Sequence, residues 1–257
     1  PARSRPGVAV AAAALLLLGA GGAHKSAAGF VGAALAGRWS GRALGSELRA
    51  ERPGGPPLPS RPLGVRLPSG AEPAAVTVEL FLDLCCPFSK KMFMSLVGGV
   101  TAAYQGRVDF VFHSVVQPWH AQSSYMHEAS LAVLELKGPV AFWRYVEVLL
   151  QRQGEFFDSE VMDKSREDLY AKLAEMAGTA DVAEPTEMLQ LLRLTGSGNC
   201  GNRVTQQLKW ATKFHRLRGV HVTPTVFING LEAGVVGSGW TPEEWGSFLD
   251  WHLEHGV

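Results

Sequence analysis

Residues 76–96, VTVELFLDLCCPFSKKMFMSL, decide the fold, because an apolar strand pattern passes there directly into a helical one. The β-branched and aromatic content of Val76–Leu82 predicts a β-strand. Pro87 suits the first turn of a helix, where its missing N–H is no loss. We therefore expect a strand followed by a helix, with Cys86 at or just before the helix N-terminus.

Cys86, Pro87, Phe88 and Ser89 form a CxxS motif at this junction. The dipole and the free N–H groups of a helix N-terminus favour a thiolate, and cysteines in such positions can have pKa values lowered to roughly 3.5–7.5. Ser89 stands where a two-cysteine redox motif carries its second sulfur. Its hydroxyl can donate a hydrogen bond to a thiolate but cannot form a disulfide. The motif predicts monothiol chemistry, with Cys86 and Ser89 as the catalytic pair.

A second signal lies far along the chain, in GVHVTPTVFING at residues 219–230. This segment predicts a loop, a short strand at Thr225–Ile228 and a hairpin turn at Asn229 and Gly230. A proline that enters a strand, as Pro224 does here, is often cis. The chain therefore carries two separate motifs that each join a strand to a special turn.

Together, the cysteine motif after an early strand and the late Val-Thr-Pro-Thr sequence resemble the DsbA-like branch of the thioredoxin superfamily. The resemblance covers about residues 76–257 and implies an α/β, thioredoxin-like fold with a large all-helical insertion. Four segments are closer still to a group of eukaryotic proteins described only as having a thioredoxin-like fold. These segments are FLDLCCPFS, QPWHAQSSYMHEASLAV, GEFFDSE and GVHVTPTVFING.

The resemblance also assigns roles to residues around the thiol. Thr223 and Pro224 would face Cys86 and orient a bound peptide or glutathione. Pro87 and Phe88, inside the motif, would contact the same partner. The partner implied is a thiol-containing protein or glutathione.

About a hundred residues separate the predicted second strand, at residues 108–116, from the Thr-Pro loop. Their patterns predict a helical insertion at about residues 120–218, which by resemblance would form a cap beside the active cysteine. Within it, Asp158 is expected to cap a helix that ends at Gly178. Trp119 and His120 open the insertion and either line the substrate groove or serve packing.

Three further residues near the motif have open roles. A disulfide between the neighbours Cys85 and Cys86 would need a strained ring, so we favour a small buried side chain for Cys85. Cys200 either swings toward Cys86 as a second accessory thiol or remains a loop thiol. Asp83 either shuttles a proton or, as we favour, binds water or a backbone group.

The first part of the chain differs in composition from the rest. Residues 1–46 lack acidic side chains, and arginines precede an apolar run at residues 8–18, which is typical of a signal peptide and also fits an organelle transit peptide. The run is too short for a stable membrane span. Residues 47–73 are proline-rich and predict a linker, which leaves a folded domain at residues 74–257. We expect the secretory pathway, the ER or the exterior, with a plastid or mitochondrion as the alternative.

Composition narrows the functional classes. The chain has 257 residues, 46% of them hydrophobic, and a formal net charge of zero, so it can bury a core and gives no indication of nucleic-acid binding. Its histidines lack the spacing of metal ligands, and no cofactor is expected apart from glutathione as a co-substrate. An iron–sulfur cluster shared with glutathione, as in monothiol glutaredoxins, is disfavoured by the proline in the motif and by the insertion.

Three functional hypotheses follow. The first is a monothiol thiol-disulfide oxidoreductase that forms mixed disulfides with glutathione or protein thiols through Cys86. The second, by resemblance, is a glutathione-dependent transferase or isomerase of the kappa type, although those proteins usually carry serine at the first motif position. The third is a redox-inactive peptide-binding or chaperone module built on the same fold.

Overall fold

A five-stranded mixed sheet forms the centre of the part of the chain that the structure describes, residues 57–69 and 73–256 of a computed structural model. The strand order is β1–β3–β2–β4–β5. β2 and β3 are parallel, and the other neighbours pair antiparallel. The strands are β1 Val65–Arg66, β2 Val76–Leu82, β3 Val108–Ser114, β4 Thr225–Ile228 and β5 Leu231–Glu232.

Helices cover both faces of this sheet and fill the long connection from β3 to β4. A π-helical turn, Leu96–Val100, joins α1 to α2, and a 3₁₀ turn, Gln153–Phe156, follows α3. The α-helices are α1 Pro87–Ser95, α2 Thr101–Ala103, α3 Ser123–Gln151, α4 Asp158–Val161, α5 Arg166–Thr179, α6 Pro185–Leu192, α7 Thr205–Leu217 and α8 Pro242–His255.

The two faces of the sheet carry separate apolar clusters, because alternate residues of a strand point to opposite faces. Leu80 and Leu82 of β2 belong to the large cluster that the insertion helices complete. Phe81, between them, belongs to a small cluster with Val115, Val220 and Phe227, against which Phe214 of α7 packs. Burial on both faces explains why β2 reads as a nearly continuous apolar run.

The predicted strand and hairpin of the second motif are confirmed. β4 has the predicted bounds, and its turn into β5 places Asn229 at φ 49° and Gly230 at φ 88°. Two successive positive φ values fit the right-handed twist of a hairpin, and Asn-Gly tolerates them best. The strand expected at residues 108–116 ends earlier, at Ser114.

The helical insertion is built much as its pattern predicts, with one difference. α3 is broken at Gly138, where φ is 80°. The prediction that Asp158 caps the helix ending near Gly178 is wrong. That helix is α5, and Ser165 caps it through a capping box with Asp168. A serine three residues before an acid satisfies two backbone donors at once, which a lone Asp158 cannot do.

A strand also lies inside the range that sequence analysis assigns to the linker. Val65 of β1 pairs with Phe112, and its carbonyl accepts a hydrogen bond from Trp143 Nε1 at 3.0 Å. Arg66 forms an ion pair with buried Asp109 at 2.9 Å. Pattern analysis does not predict this strand, because only two of its residues pair.

The predicted leader at residues 1–46 and much of the linker lie outside the described residues. The boundaries proposed for the leader, linker and folded domain therefore stay predictions. Within the described ranges, no helix has both the length and the apolar character needed to cross a bilayer.

Candidate active site

Cys86 lies at the N-cap of α1, as the sequence predicts. Its backbone is extended, at φ −75° and ψ 120°, and Pro87 occupies the first helical turn. The Cys86 carbonyl accepts the Lys90 N–H at 3.1 Å, and the Cys86 N–H donates to the Asp83 carbonyl at the same distance. The strand end and the helix start therefore fix the cysteine backbone from both sides.

The Thr-Pro loop meets the cysteine directly. The Cys86 thiol donates a hydrogen bond to the Thr223 carbonyl oxygen at 3.3 Å, across 137 residues of sequence. The Thr223–Pro224 peptide bond is cis. Cys86 itself is 5% exposed. The fold thus brings together the two motifs that the sequence singles out.

Ser89 is fully buried beneath this contact. Its hydroxyl oxygen accepts the backbone N–H of Asp83 at 3.2 Å. Among the residues that the structure describes, no hydrogen bond joins Ser89 to the Cys86 sulfur. Ser89 therefore ties α1 to the end of β2, and its predicted role toward the thiolate stays a prediction.

Large apolar side chains on the segments that build the site are exposed. Phe88 is 60% exposed, Trp119 63% and Val222 63%, and Pro87 is exposed as well. Such large apolar residues are usually buried, so their shared exposure is informative. The predicted substrate-contact residues Pro87, Phe88 and Trp119 thus lie at the protein surface.

Asp83 is a hydrogen-bonding centre behind the thiol. Its carboxylate is fully buried, and one oxygen accepts the Cys85 N–H at 2.7 Å and the Ser123 hydroxyl at 2.9 Å. The other oxygen accepts the Gln117 N–H at 2.7 Å and lies 3.2 Å from His120 Nδ1. The favoured expectation of a backbone partner is confirmed, and two side chains of the insertion join it.

Gln153 is a site residue that the sequence does not reveal. Its side chain is 2% exposed, and Nε2 donates to the Leu84 carbonyl at 2.9 Å and to the Cys86 carbonyl at 3.3 Å. Lys90 Nζ makes a parallel contact with the Gln151 carbonyl at 3.0 Å. The only available signal was position, since Gln153 directly precedes the GEFFDSE segment.

The three cysteines are all free thiols in different surroundings. Cys85 is buried, as expected, and its sulfur lies 3.3 Å from Met126 Sδ. Burial, and then the negative charge of Asp83, raises the pKa of the Cys85 thiol. Cys200 is exposed in the loop between α6 and α7. Cys85 is thus poorly suited to form a thiolate.

The histidines near the site do not form a metal-binding cluster in the described ranges. His127 is buried, its Nε2 lies 3.0 Å from the Val115 carbonyl, and desolvation lowers the pKa of its imidazole to about 4. Across the described ranges, no group of three or more His, Cys, Asp or Glu side chains could hold a metal ion.

Several solved bacterial structures share this fold. A candidate protein-disulfide isomerase from Pseudomonas syringae has a TM-score of 0.58 at 24% identity, over 72% of this chain and 97% of its own. BdbD from Bacillus subtilis has 0.56 at 20%, over 74% and 93%. DsbA from Chlamydia trachomatis has 0.55 at 18%, over 78% and 96%. The fold is therefore the DsbA-like thioredoxin fold that the sequence predicts.

The sequence itself establishes the family. No curated protein matches the chain at a significant level. A family model described as thioredoxin matches residues 65–251, well over half of the chain, from β1 into α8. The chain therefore belongs to the thioredoxin family.

Proposed function

We propose that the protein is a monothiol thiol-disulfide oxidoreductase that forms and releases mixed disulfides through Cys86. One observation carries the proposal: a single thiol stands at the N-terminus of α1 in contact with the Thr223 carbonyl. In disulfide exchange the thiolate is the nucleophile, and the free N–H groups of a helix N-terminus interact favourably with a negative charge. Membership of the thioredoxin family supports the same chemistry.

The reaction follows from having one sulfur in the motif. The Cys86 thiolate attacks a disulfide, R–S–S–R′, forms Cys86–S–S–R and expels R′S⁻. Ser89 cannot displace R, so a second thiol from solution must attack the mixed disulfide and restore Cys86. Reduced glutathione or a protein thiol can supply that sulfur. The Ser89 hydroxyl keeps its own proton, and its proposed role is to donate a hydrogen bond to the thiolate.

The neighbouring loop suits an extended partner. The Thr223 carbonyl accepts a hydrogen bond from the Cys86 thiol. Once the thiol ionises or becomes a disulfide, this oxygen is free to accept a backbone N–H of a peptide or of glutathione. Phe88, Trp119 and Val222 offer apolar surface beside it, which favours a polypeptide over the small, charged glutathione.

The third hypothesis, a redox-inactive binding module, rests on the low exposure of Cys86. A residue only 5% exposed can be reached by a disulfide only if the proposed rim, formed by Phe88, Trp119 and Val222, opens or the partner fits closely. The kappa-type transferase has no comparable support, because this chain carries cysteine where those proteins usually carry serine. For the compartment we propose the secretory pathway or the exterior, with a plastid or mitochondrion as the alternative.

A turnover assay separates these functions. The protein, with Cys85→Ala and Cys200→Ala, is mixed with a glutathionylated peptide and reduced glutathione, and release of oxidised glutathione is followed. We expect catalytic release that Cys86→Ser abolishes. Peptide binding that survives Cys86→Ser, without any turnover, would instead establish a binding module. Conjugation of glutathione to an electrophile would establish a transferase.

A further inference from the structure

His120 and Asp83 form a hydrogen-bonded pair next to the Cys86 site. His120 Nδ1 lies 3.2 Å from Asp83 Oδ2, with the Asp83 side chain fully buried and the His120 side chain 21% exposed. A carboxylate can only accept hydrogen bonds, so Nδ1 carries a hydrogen and donates a hydrogen bond to Asp83. Nε2 is then left as the basic nitrogen of a ring that is partly exposed.

Asp83 cannot turn away from this contact. Three other donors hold its oxygens: the N–H groups of Cys85 and Gln117, and the hydroxyl of Ser123. These donors come from the cysteine turn, from the loop after β3 and from the start of α3. A carboxylate held in this way fixes both the tautomer and the orientation of the imidazole.

The loop that carries His120 also contacts the loop that holds the thiol. Gln117 Nε2 donates to the His221 carbonyl at 3.2 Å, two residues before Thr223, whose carbonyl accepts the Cys86 thiol. The Gln117 carbonyl in turn accepts the His120 N–H at 2.9 Å. The loop that carries His120 is therefore hydrogen-bonded to the loop that contacts the thiol, and the His120 ring packs against exposed Trp119.

We propose that His120 transfers a proton to and from the partner's sulfur, with Asp83 as the positioning residue. When Cys86 attacks R–S–S–R′, the Cys86–S–S–R bond forms and the S–R′ bond breaks. The leaving R′S⁻ then takes a proton from protonated Nε2 and departs as R′SH. In the release step an incoming thiol R″SH gives its proton to Nε2 and attacks the sulfur of R, so that the R″–S–S–R bond forms, the bond to Cys86 breaks and Cys86 leaves as a thiolate. The partner disulfide supplies the oxidising equivalents, and no further reactant is needed.

Other charged groups near the pair shape its pH dependence. His127 of α3 interacts electrostatically with Asp83, and burial keeps it neutral above pH of about 4. Asp158 of α4 accepts a hydrogen bond from Gln122, next to the His120 loop. Cys85 lies beside Asp83 with a raised pKa, so it stays a neutral thiol. His120 is the partly exposed base of this group, since His127 is buried.

The inference rests on the proposed function. A reagent whose leaving group needs a proton, compared with reagents whose leaving group needs none, tests the inference separately from that function. The reaction of Cys86 with an alkyl disulfide, such as a cystine peptide, expels a thiolate that must gain a proton. An aromatic disulfide expels a thiolate that is stable without one, and iodoacetamide expels iodide. A residue that protonates the leaving sulfur affects the first reaction alone, whereas a residue that only places Cys86 affects all three.

The test uses His120→Gln in the full chain with Cys85→Ala and Cys200→Ala, and His255→Gln on α8 as the matched control. We expect the alkyl-disulfide reaction to slow at least about tenfold and to lose its dependence on the ionisation of a histidine. Thiolates leave readily, so this lies below the roughly 10²–10⁴-fold range of general acid–base catalysis. Rates with the aromatic disulfide and iodoacetamide should stay within about twofold of the parent.

Two further variants guard against a folding artefact. His120→Ala should regain part of the lost alkyl-disulfide rate when imidazole is added, which a purely structural role would not produce. Asp83→Asn should shift the pH profile of the same reaction. Equal slowing of all three reagents in His120→Gln, or an unchanged pH profile, would overturn the inference while leaving the proposed function intact. A parent protein that reacts with no disulfide would overturn both.

Discussion

The two sides of the Cys86 site are built from different groups. On the sheet side, backbone atoms hold the cysteine: the Asp83 and Thr223 carbonyls and the first turn of α1. On the insertion side, individual side chains do so, chiefly Gln153 and, through Asp83, Ser123 and His120. Backbone contacts survive most substitutions, whereas each side-chain contact depends on one residue. The insertion side should therefore be the side that single mutations break.

Asp83→Ala should have the largest effect, because Asp83 is where the two sides meet. Removing its carboxylate leaves the buried donors of Cys85, Gln117 and Ser123 without a partner. We expect a loss of about 3–5 kcal/mol in the free energy of unfolding. Urea denaturation measures it, with exposed Asp163→Ala as the control, where about 0.5 kcal/mol or less is expected. Equal losses in the two variants would contradict the comparison.

Acid should loosen the contact of α3 with the sheet side through His127. Its neutral ring lies 3.0 Å from the Val115 carbonyl, and burial lowers its pKa from about 6.5 to about 4. The unfolded chain therefore binds this proton first. The stability that the neutral ring contributes is complete above pH of about 6.5, and about 3 kcal/mol of it is lost as the pH falls to about 4.

The measurement for His127 is the free energy of unfolding between pH 7 and pH 4, in the parent and in His127→Gln. Glutamine can still donate to the Val115 carbonyl but does not titrate. The parent should lose more stability than the variant over this range. Parallel pH curves would show that His127 is not responsible.

Gln153→Met isolates the side-chain contact to the cysteine turn. Methionine keeps the length of the side chain but cannot donate to the Leu84 and Cys86 carbonyls. We expect a loss of about 1–3 kcal/mol, because a buried carbonyl is left unsatisfied. The alkylation of Cys86 should become faster as its turn loosens, because Cys86 is only 5% exposed in the parent. Gln151→Met, on the exposed end of α3, should match the parent in both assays.

Trp119→Ser should change stability least and test the rim instead. Trp119 is 63% exposed, so the free energy of unfolding should move by about 0.5 kcal/mol or less. Peptide disulfides with apolar residues should react more slowly than with the parent, while oxidised glutathione should react at an unchanged rate. A uniform change for both partners would mean that the rim does not select polypeptides.

The same contrast explains what the sequence could reveal. β2, α1 and the β4 hairpin follow from local patterns, because a proline after a strand or an Asn-Gly turn restricts its own backbone. The pairing of Asp83 with His120, the contact of Gln153 with the cysteine turn and strand β1 depend on residues far apart in the sequence. Ser89 shows a different limit: it lies only six residues from Asp83, but its contact with the Asp83 N–H depends on how α1 packs against the end of β2.

The central claim is that Cys86, and not its neighbour, is the nucleophile. Two single-cysteine proteins test it, one with Cys85→Ala and Cys200→Ala and the other with Cys86→Ala and Cys200→Ala. Both proteins are exposed to oxidised glutathione in their folded state and analysed by intact mass. The account predicts one glutathione adduct on the protein that keeps Cys86 and none on the protein that keeps Cys85, whose thiol is buried with a raised pKa. An adduct on Cys85 alone, or on neither protein, would contradict it.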